Sequence, residues 1–158
     1  MAQRDEFNIV LAGAQDIPAV QSLWREYWDS FGLPADFQGF EEECSMLPGV
    51  YAPPRGRLLL AFYQGEPAGT AALRVLDDSS CEAKRFYIRP QYRGKGIGGA
   101  LLGRLIEEAR AMGYKEVYGD TLESMSSALR MYRRLGFSEV APYSPEPTPG
   151  AIYLKLVL

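Results

Sequence analysis

The sequence predicts one domain of the α+β class, in which helices and strands form mixed layers rather than a regular βαβ repeat. The chain has 158 residues, of which 47% are hydrophobic and 23% are charged, so a single domain spanning residues 1–158 can bury one sizeable core. The apolar spacing is helical at first, alternates with a period of two from Arg57 to Arg89, and is helical again from Gly96. The resulting order of elements is β-α-α-β-β-β-α-β-α-β-β.

The first third of the chain is predicted to contain one strand and two helices. Phe7 to Leu11 is rich in β-forming residues. Asp16, followed by a proline in the first turn, indicates the start of a helix that ends before Gly32. A second, shorter helix is expected to start near Asp36 and to stop at Pro48. The apolar face of the first helix consists of Val20, Leu23, Trp24, Tyr27, Trp28 and Phe31.

The rest of the chain is predicted to begin with three antiparallel strands and to end with two more. Turn residues separate these segments. An ordered loop is predicted at the proline cluster of Pro142, Pro145, Pro147 and Pro149, because a strand follows it. The predicted strands are Leu58 to Tyr63, Pro67 to Leu76, Cys81 to Arg89, Lys115 to Asp120, Phe137 to Val140 and Ala151 to Val157, and the predicted helices are Gly96 to Met112 and Met125 to Leu135.

The composition excludes several classes of function. The chain has no histidine, which excludes an imidazole base and a histidine metal site, and its two cysteines, Cys44 and Cys81, are too few for a disulfide scaffold or a thiolate metal site. Its net charge of -3 gives no general affinity for nucleic acid. No apolar run approaches the ~20 residues of a membrane span. We therefore expect a cytoplasmic protein that binds no metal, nucleic acid or membrane.

The most informative segment is the turn Arg93-Gly94-Lys95-Gly96-Ile97-Gly98-Gly99, which joins a predicted strand to a predicted helix. Glycines let backbone N–H groups approach an anion closely, and the first N–H groups of a helix have no partner within the helix. Arg93 and Lys95 add two positive charges. The turn is therefore predicted to bind a phosphate group.

Three interpretations of this turn compete. It is a flexible connection, a dinucleotide-binding fingerprint formed by Gly94, Gly96 and Gly99, or a coenzyme A pyrophosphate site. A flexible connection rarely needs four glycines, each of which costs about 1 kcal/mol in a helix. The fingerprint requires an apolar strand before the first glycine, whereas this strand carries Glu82 and Lys84. A Walker loop requires a Gly-Lys-Ser/Thr triplet, which the sequence lacks.

The third interpretation rests on a resemblance to the GNAT acetyltransferases. Arg93, Gly96 and Gly98 match the family's R-x-x-G-x-G/A motif, and the flanking segment from Tyr87 to Gly98 is similar to that family almost letter for letter. The downstream residues Ala128, Tyr132, Gly136 and Phe137 match its A-x-x-x-Y-x-x-x-G-F pattern. The resemblance implies a small, single-domain member with a mostly antiparallel sheet of six to seven strands flanked by about four helices.

The resemblance also implies acetyl-CoA as co-substrate and a set of residues that bind it. In the family, the strand before the glycine turn is splayed from its neighbour, and its free backbone groups pair with the pantetheine arm. Met125 stands where many members carry a hydrogen-bonding Asn. The implied cofactor-binding residues are Phe86, Tyr87, Ile88, Arg93, Gly94, Lys95, Gly96, Ile97, Gly98, Met125 and Tyr132.

Two side chains are candidates for proton transfer. Tyr132 stands where the family places a hydroxyl beside the coenzyme sulfur as general acid, and the alternative is a packed aromatic ring. Glu82 stands where members with a catalytic glutamate carry the base, and the alternative is a solvated charge paired with Lys84 or Lys155. A covalent acetyl-cysteine is disfavoured because no histidine is present to activate Cys44 or Cys81. Both cysteines are instead predicted to be small buried residues.

The resemblance implies an N-acetyltransferase that acts on a primary amine of a small molecule or peptide by direct attack in a ternary complex. The alternative is a non-catalytic acyl-CoA-binding or sensor module. A member of the aromatic stripe on the first helix and the proline loop with Tyr143 are candidates to line the acceptor pocket. The sequence leaves open the identity of the acceptor and whether the protein is a monomer or a homodimer.

Overall fold

The computed structural model describes residues 6–34, 37–145, 147 and 149–158. Within these residues the chain forms seven strands and four α-helices in the predicted order. They are β1 (Phe7–Leu11), α1 (Ile17–Asp29), α2 (Phe40–Ser45), β2 (Arg57–Tyr63), β3 (Glu66–Val75), β4 (Ser80–Ile88), α3 (Ile97–Ala111), β5 (Glu116–Leu122), α4 (Ser126–Arg134), β6 (Ser138–Val140) and β7 (Ala151–Val157).

The second helix is the element that departs most from the sequence-based expectation. Its expected start near Asp36 lies outside the described residues, and α2 begins at Phe40 after a 3-10 turn at Phe37–Gly39. Gly39, at φ +69°, breaks the right-handed backbone between the two. The helix ends at Ser45, with Met46 as its C-cap, rather than at Pro48. Pro48 disfavours the helical conformation at Leu47, so the helix cannot continue to the proline.

All strands belong to one sheet with the order β1-β2-β3-β4-β5-β7-β6. Neighbouring strands are antiparallel except β4 and β5, which are parallel and are connected through α3. This arrangement confirms the predicted α+β fold with a mostly antiparallel sheet of seven strands. Among the described helices, none is long and apolar enough to cross a membrane.

The two faces of the sheet carry separate apolar cores. One core packs α3 and α4 against the sheet, through residues such as Leu101, Leu105 and Tyr132. The other packs α1 and α2 against the opposite face, through residues such as Trp24 and Phe40.

Strands β4 and β5 separate halfway along β4. Their parallel pairing runs from Ser80 opposite Glu116 to Ala83 opposite Gly119, and no pair of described residues continues it beyond that point. Beyond this point β5 keeps only its pairing with β7, and β4 keeps only its pairing with β3. The two strands thus diverge and leave a gap that begins beside Ala83.

A β-bulge in β4 lies beside this gap. Thr70 of β3 pairs with Tyr87 and Ala72 pairs with Lys84, so β4 contains one extra residue opposite Ala71. Arg85 adopts a left-handed conformation, with φ +58°, which is uncommon for a residue other than glycine. The bulge changes the alternation of side chains along β4 at this residue.

The surroundings of Arg85 hold it in that conformation. Its guanidinium lies 5.1–5.4 Å from the ring centroids of Trp24, Trp28 and Phe40, and its Nη2 lies 3.1 Å from Oε1 of Glu43. Burial by itself raises the pKa of Glu43, but Arg85, a hydrogen bond from Tyr51 and the charge of Lys84 lower it below its ordinary value. The pair connects α2 to the bulge.

We expect Glu43→Gln to lower the free energy of unfolding by about 1.5–3 kcal/mol at pH 7, because Arg85 loses a charge-assisted partner in a buried site. Urea unfolding measures the change, and Glu42→Gln, at an exposed position of the same helix, is the matched control. Because the pKa of Glu43 is lowered, its contribution is present above the ordinary carboxyl pKa and is lost as pH falls through the folded-state pKa. An equal loss in both variants would contradict a structural ion pair.

Candidate active site

The glycine turn has a backbone that only glycine adopts readily. Gly94 and Gly96 have φ values of +79° and +85°, and Gly96 is the N-cap residue of α3. A Cβ at either position would lie more than 4 Å from neighbouring atoms, so the space in front of the turn is open. At Gly98, by contrast, a Cβ would lie 3.0 Å from Cε of Met131 and 3.3 Å from Cζ of Phe86. The first amides of α3 therefore face an open space without side chains.

Two cations flank this turn. Arg93 is exposed, donates a hydrogen bond from Nε to the Ile88 carbonyl oxygen at 2.9 Å, and places its guanidinium 5.9 Å from the ring centroid of Tyr87. Lys95 is also exposed, with Nζ 5.0 Å from the ring centroid of Tyr63. Both side chains remain accessible to an anion bound at the turn.

A cleft of about 430 Å³ connects the turn to α4. Nine of the residues expected to bind the cofactor line it, namely Phe86, Tyr87, Ile88, Arg93, Gly94, Gly96, Ile97, Gly98 and Met125. Lys95 and Tyr132 are not among its lining residues. The opposite wall includes Ser124, Ser126 and Ser127 at the start of α4, which sequence reasoning missed. The only signal in the sequence was the position of these serines around the predicted start of a helix at Met125.

A second, narrower cavity of about 50 Å³ lies in the gap between β4 and β5. It shares Phe86, Met125 and Ala128 with the larger cleft. Its remaining lining comes from α1 and the residues after it, from β4, from β5 and from Tyr132 of α4. The two spaces therefore meet where the strands separate, one from each side of the sheet.

Tyr132 lines the narrow cavity, contacts the shared residue Phe86 and is only 2% exposed. Its ring makes edge contacts with Phe86 and Phe137, at centroid distances of 6.1 and 5.0 Å. Burial, together with Tyr27 and the carboxylates of Asp120 and Glu82, raises the pKa of Tyr132 above its ordinary value. The side chain is therefore both a packed aromatic ring and a hydroxyl that keeps its proton at neutral pH.

Glu82 is buried on β4, and both of its carboxylate oxygens accept hydrogen bonds. Oε1 accepts from Nε of Arg74 at 2.8 Å, and Oε2 accepts from the hydroxyl of Tyr143 at 2.8 Å. The expected alternative of a solvated charge paired with Lys84 or Lys155 is wrong, because Glu82 is buried and pairs with Arg74, and Lys155 pairs with Glu116 at 3.2 Å. Tyr143 belongs to the proline loop, which is thereby attached to β4.

Sequence reasoning missed two charged residues of the narrow cavity. Asp120 and Lys84 both line it, the first from β5 and the second from β4. Burial and the charge of Glu82 raise the pKa of Asp120, whereas Lys84 and Arg85 oppose this rise. Burial and the charge of Arg85 lower the pKa of Lys84. The spacing along the chain gave no signal that these residues meet, because they lie on different strands.

The aromatic stripe of α1 divides between the core and the cavity. Trp24 is fully buried, whereas Tyr27, Trp28 and Phe31 line the narrow cavity. Burial raises the pKa of Tyr27 to about 12, although Arg85 opposes the rise. A wall of aromatic rings therefore covers the cavity on the side of α1.

Neither cysteine is placed for nucleophilic catalysis. Cys44 and Cys81 are both buried, as expected, and burial raises the pKa of the Cys81 thiol to about 12. Burial also raises the pKa of Cys44. Among the described residues, no cluster of His, Cys, Asp or Glu side chains forms a candidate metal site.

Comparisons with known proteins agree with this geometry. A model of the acetyltransferase (GNAT) family matches residues 20–137. An uncharacterised N-acetyltransferase of Schizosaccharomyces pombe is 33% identical over 144 residues, which is 90% of this chain and 88% of that protein. An acetyltransferase of Streptococcus agalactiae superposes with a TM-score of 0.81 at 19% identity, covering 97% and 99% of the two chains. A Salmonella typhimurium protein solved with acetyl-CoA gives a TM-score of 0.69 at 22% identity, covering 96% and 94%.

We expect Gly96→Ala to lower the free energy of unfolding by about 1–2 kcal/mol, because a Cβ is unfavourable in the left-handed backbone of this turn. Gly103→Ala is the matched control within α3, where the added Cβ meets no atom within 4 Å. It is expected to raise the free energy of unfolding by about 1 kcal/mol through helix propensity. Urea unfolding of the free protein measures both, and effects of the same sign would contradict the described turn.

Proposed function

The chain belongs to the GNAT acetyltransferase family and is an acetyl-CoA-dependent acyltransferase, and we propose that its acceptor is a primary amine of a small molecule or peptide. The transfer occurs by direct attack while both reactants are bound. The observation that carries this proposal is the junction of the two cavities at Phe86, Met125 and Ala128. It provides one entry for each reactant and a common space beside Tyr132.

The larger cleft fits the cofactor of this family. Its glycine turn offers unpaired amides, an open space and two cations to a diphosphate. From Lys84 onward, the edge of β4 that faces β5 has no strand partner among the described residues. Main-chain groups of Phe86, Tyr87 and Ile88 that point into the gap are therefore available to the amides of a pantetheine arm. Met125, at the N-cap of α4, contributes an apolar contact in place of a side-chain hydrogen bond.

Acetyl-CoA supplies the acetyl group as a thioester, and two side chains of this protein manage the protons. An amine attacks only in its neutral form, so the acceptor must lose a proton, which we assign to a carboxylate oxygen of Glu82. Because Glu82 lines neither described cavity, this transfer passes through water. The Tyr132 hydroxyl then donates a proton toward the coenzyme sulfur. Its raised pKa supports this role, because the hydroxyl remains protonated throughout the neutral range.

The distinguishing experiment measures thiol release from acetyl-CoA against a panel of primary amines between pH 6 and 9. We expect kcat/KM to rise with pH toward the pKa of each acceptor, because the neutral fraction of the amine rises. A flat profile would contradict attack by an amine. Calorimetric binding of coenzyme A without thiol release for any amine would instead support the sensor module.

We expect Tyr132→Phe to lower kcat by about 100-fold, the lower end of the range for loss of a general acid, because a thiolate is a tolerable leaving group. Calorimetry should show nearly unchanged affinity for coenzyme A, since the variant keeps the aromatic ring that packs on Phe86. Tyr114→Phe is the matched control, because the Tyr114 hydroxyl donates to the Arg55 carbonyl oxygen away from both cavities that meet at the gap. An unchanged kcat in Tyr132→Phe would contradict the role of general acid and would leave packing of the aromatic ring as the only role of this residue.

A further inference from the structure

The narrow cavity between β4 and β5 is lined by charged residues of opposite sign together with aromatic and apolar side chains. Lys84 lines it from β4, Asp120 lines it from β5, and Tyr27 and Phe31 cover it from α1. Each of the two charged side chains affects the pKa of the other, so they lie in the same electrostatic environment. A molecule that enters this cavity meets both charges.

Lys84 and Asp120 differ from their charged neighbours because neither has an ion-pair partner within 4 Å among the described residues. Arg85 is taken by Glu43, and Glu82 is taken by Arg74. Both of these neighbouring charges are therefore already paired within the protein. The charges of Lys84 and Asp120 remain available to a ligand.

Both side chains are partly buried, so their charged forms are less favourable than in water. Burial lowers the pKa of Lys84 and raises the pKa of Asp120, although each side chain opposes the shift of the other. A ligand that carries only one charge relieves one of these groups. A ligand that carries both an amino group and a carboxylate gives each of them a partner and gains two charge-assisted hydrogen bonds.

We propose that the acceptor is a small amine that also carries a carboxylate, such as a free amino acid, with its amino group donating to Asp120 and its carboxylate against Lys84. This inference rests on the proposed N-acetyltransferase function and narrows it. A peptide N-terminus carries no carboxylate beside its amine, so it leaves Lys84 without a partner. The apolar part of such a molecule would contact Tyr27 and Phe31.

The test compares three amines of matched shape, which are leucine, leucinamide and 3-methylbutylamine, in the thiol-release assay with acetyl-CoA. Because the amines differ in pKa, kcat/KM is expressed per concentration of neutral amine. We expect leucine to exceed the other two by about 10–100-fold, the factor that corresponds to one charge-assisted hydrogen bond. Equal values, or a preference for either amine without a carboxylate, would overturn the inference.

Two variants separate the roles of the two charges. Lys84→Met should remove most of the preference for leucine over leucinamide. Asp120→Asn should lower kcat/KM for all three amines and leave their ratio unchanged, because every acceptor carries the amino group. Lys155→Met is the matched control, since Lys155 pairs with Glu116 and does not line the cavity. A preference for leucine that survives Lys84→Met would overturn the assignment of Lys84.

The outcomes also distinguish this inference from the proposed function. Thiol release with amines, without a preference for the carboxylate, refutes the inference and leaves the proposed function standing. Coenzyme A binding without thiol release for any amine refutes the proposed function. Calorimetric titration of the same three amines into the protein–coenzyme A complex then decides the preference of the cavity, and equal affinities would overturn the inference. If Lys84→Met fails to fold, the comparison of amines on the unmodified protein still decides the question.

Discussion

The separation of β4 from β5 is the constraint on which the other features of this protein depend. Parallel pairing between the two strands ends at Ala83 and Gly119, and each strand then continues with its other neighbour. The bulge at Arg85 lies immediately beyond that point, and the buried ion pair with Glu43 anchors it to α2. Both cavities open from the resulting gap. A continuous β4–β5 ladder would close them and would use the backbone groups that the proposed cofactor arm requires.

Charged side chains on the α1–α2 face of the sheet divide into two groups with different roles. Arg85 with Glu43, and Arg74 with Glu82, form pairs whose partners come from different elements, so these charges fix relative positions within the fold. Removing one partner of such a pair would leave an uncompensated charge in a buried site and would lower the free energy of unfolding. Lys84 and Asp120 form the second group, because they line the cavity without such a partner, and we propose that they bind the acceptor. The same distinction explains why Arg85, although it lines the narrow cavity, is a poor candidate for binding a substrate.

The sequence predicted the order of elements and the glycine turn because both depend on residues that are close along the chain. Alternation and helical spacing give the elements, and the turn motif lies within seven residues. The acceptor side of the site depends on residues from different strands, and no local pattern reports their contact. Strict alternation along β4 places Arg85 on the face opposite Lys84, but the bulge brings its guanidinium to Trp24 and Trp28 on the α1–α2 side. The single extra residue of the bulge therefore changes the face on which the Arg85 side chain lies, and the alternation of the sequence does not show this change.

A protein without histidine can support this chemistry because the thioester reaction needs little from proton transfer. A general acid contributes about 10²–10⁴-fold, equivalent to roughly 3–5 kcal/mol. Holding two reactants in line can contribute about 7–11 kcal/mol. In the proposed mechanism, positioning is supplied by the main chain of β4, the amides at the start of α3 and the walls of the gap, none of which requires an imidazole. The proton transfers proposed for Tyr132 and Glu82 supply the smaller contribution. The geometry of the divergent strands therefore accounts for more of the proposed catalysis than any single side chain.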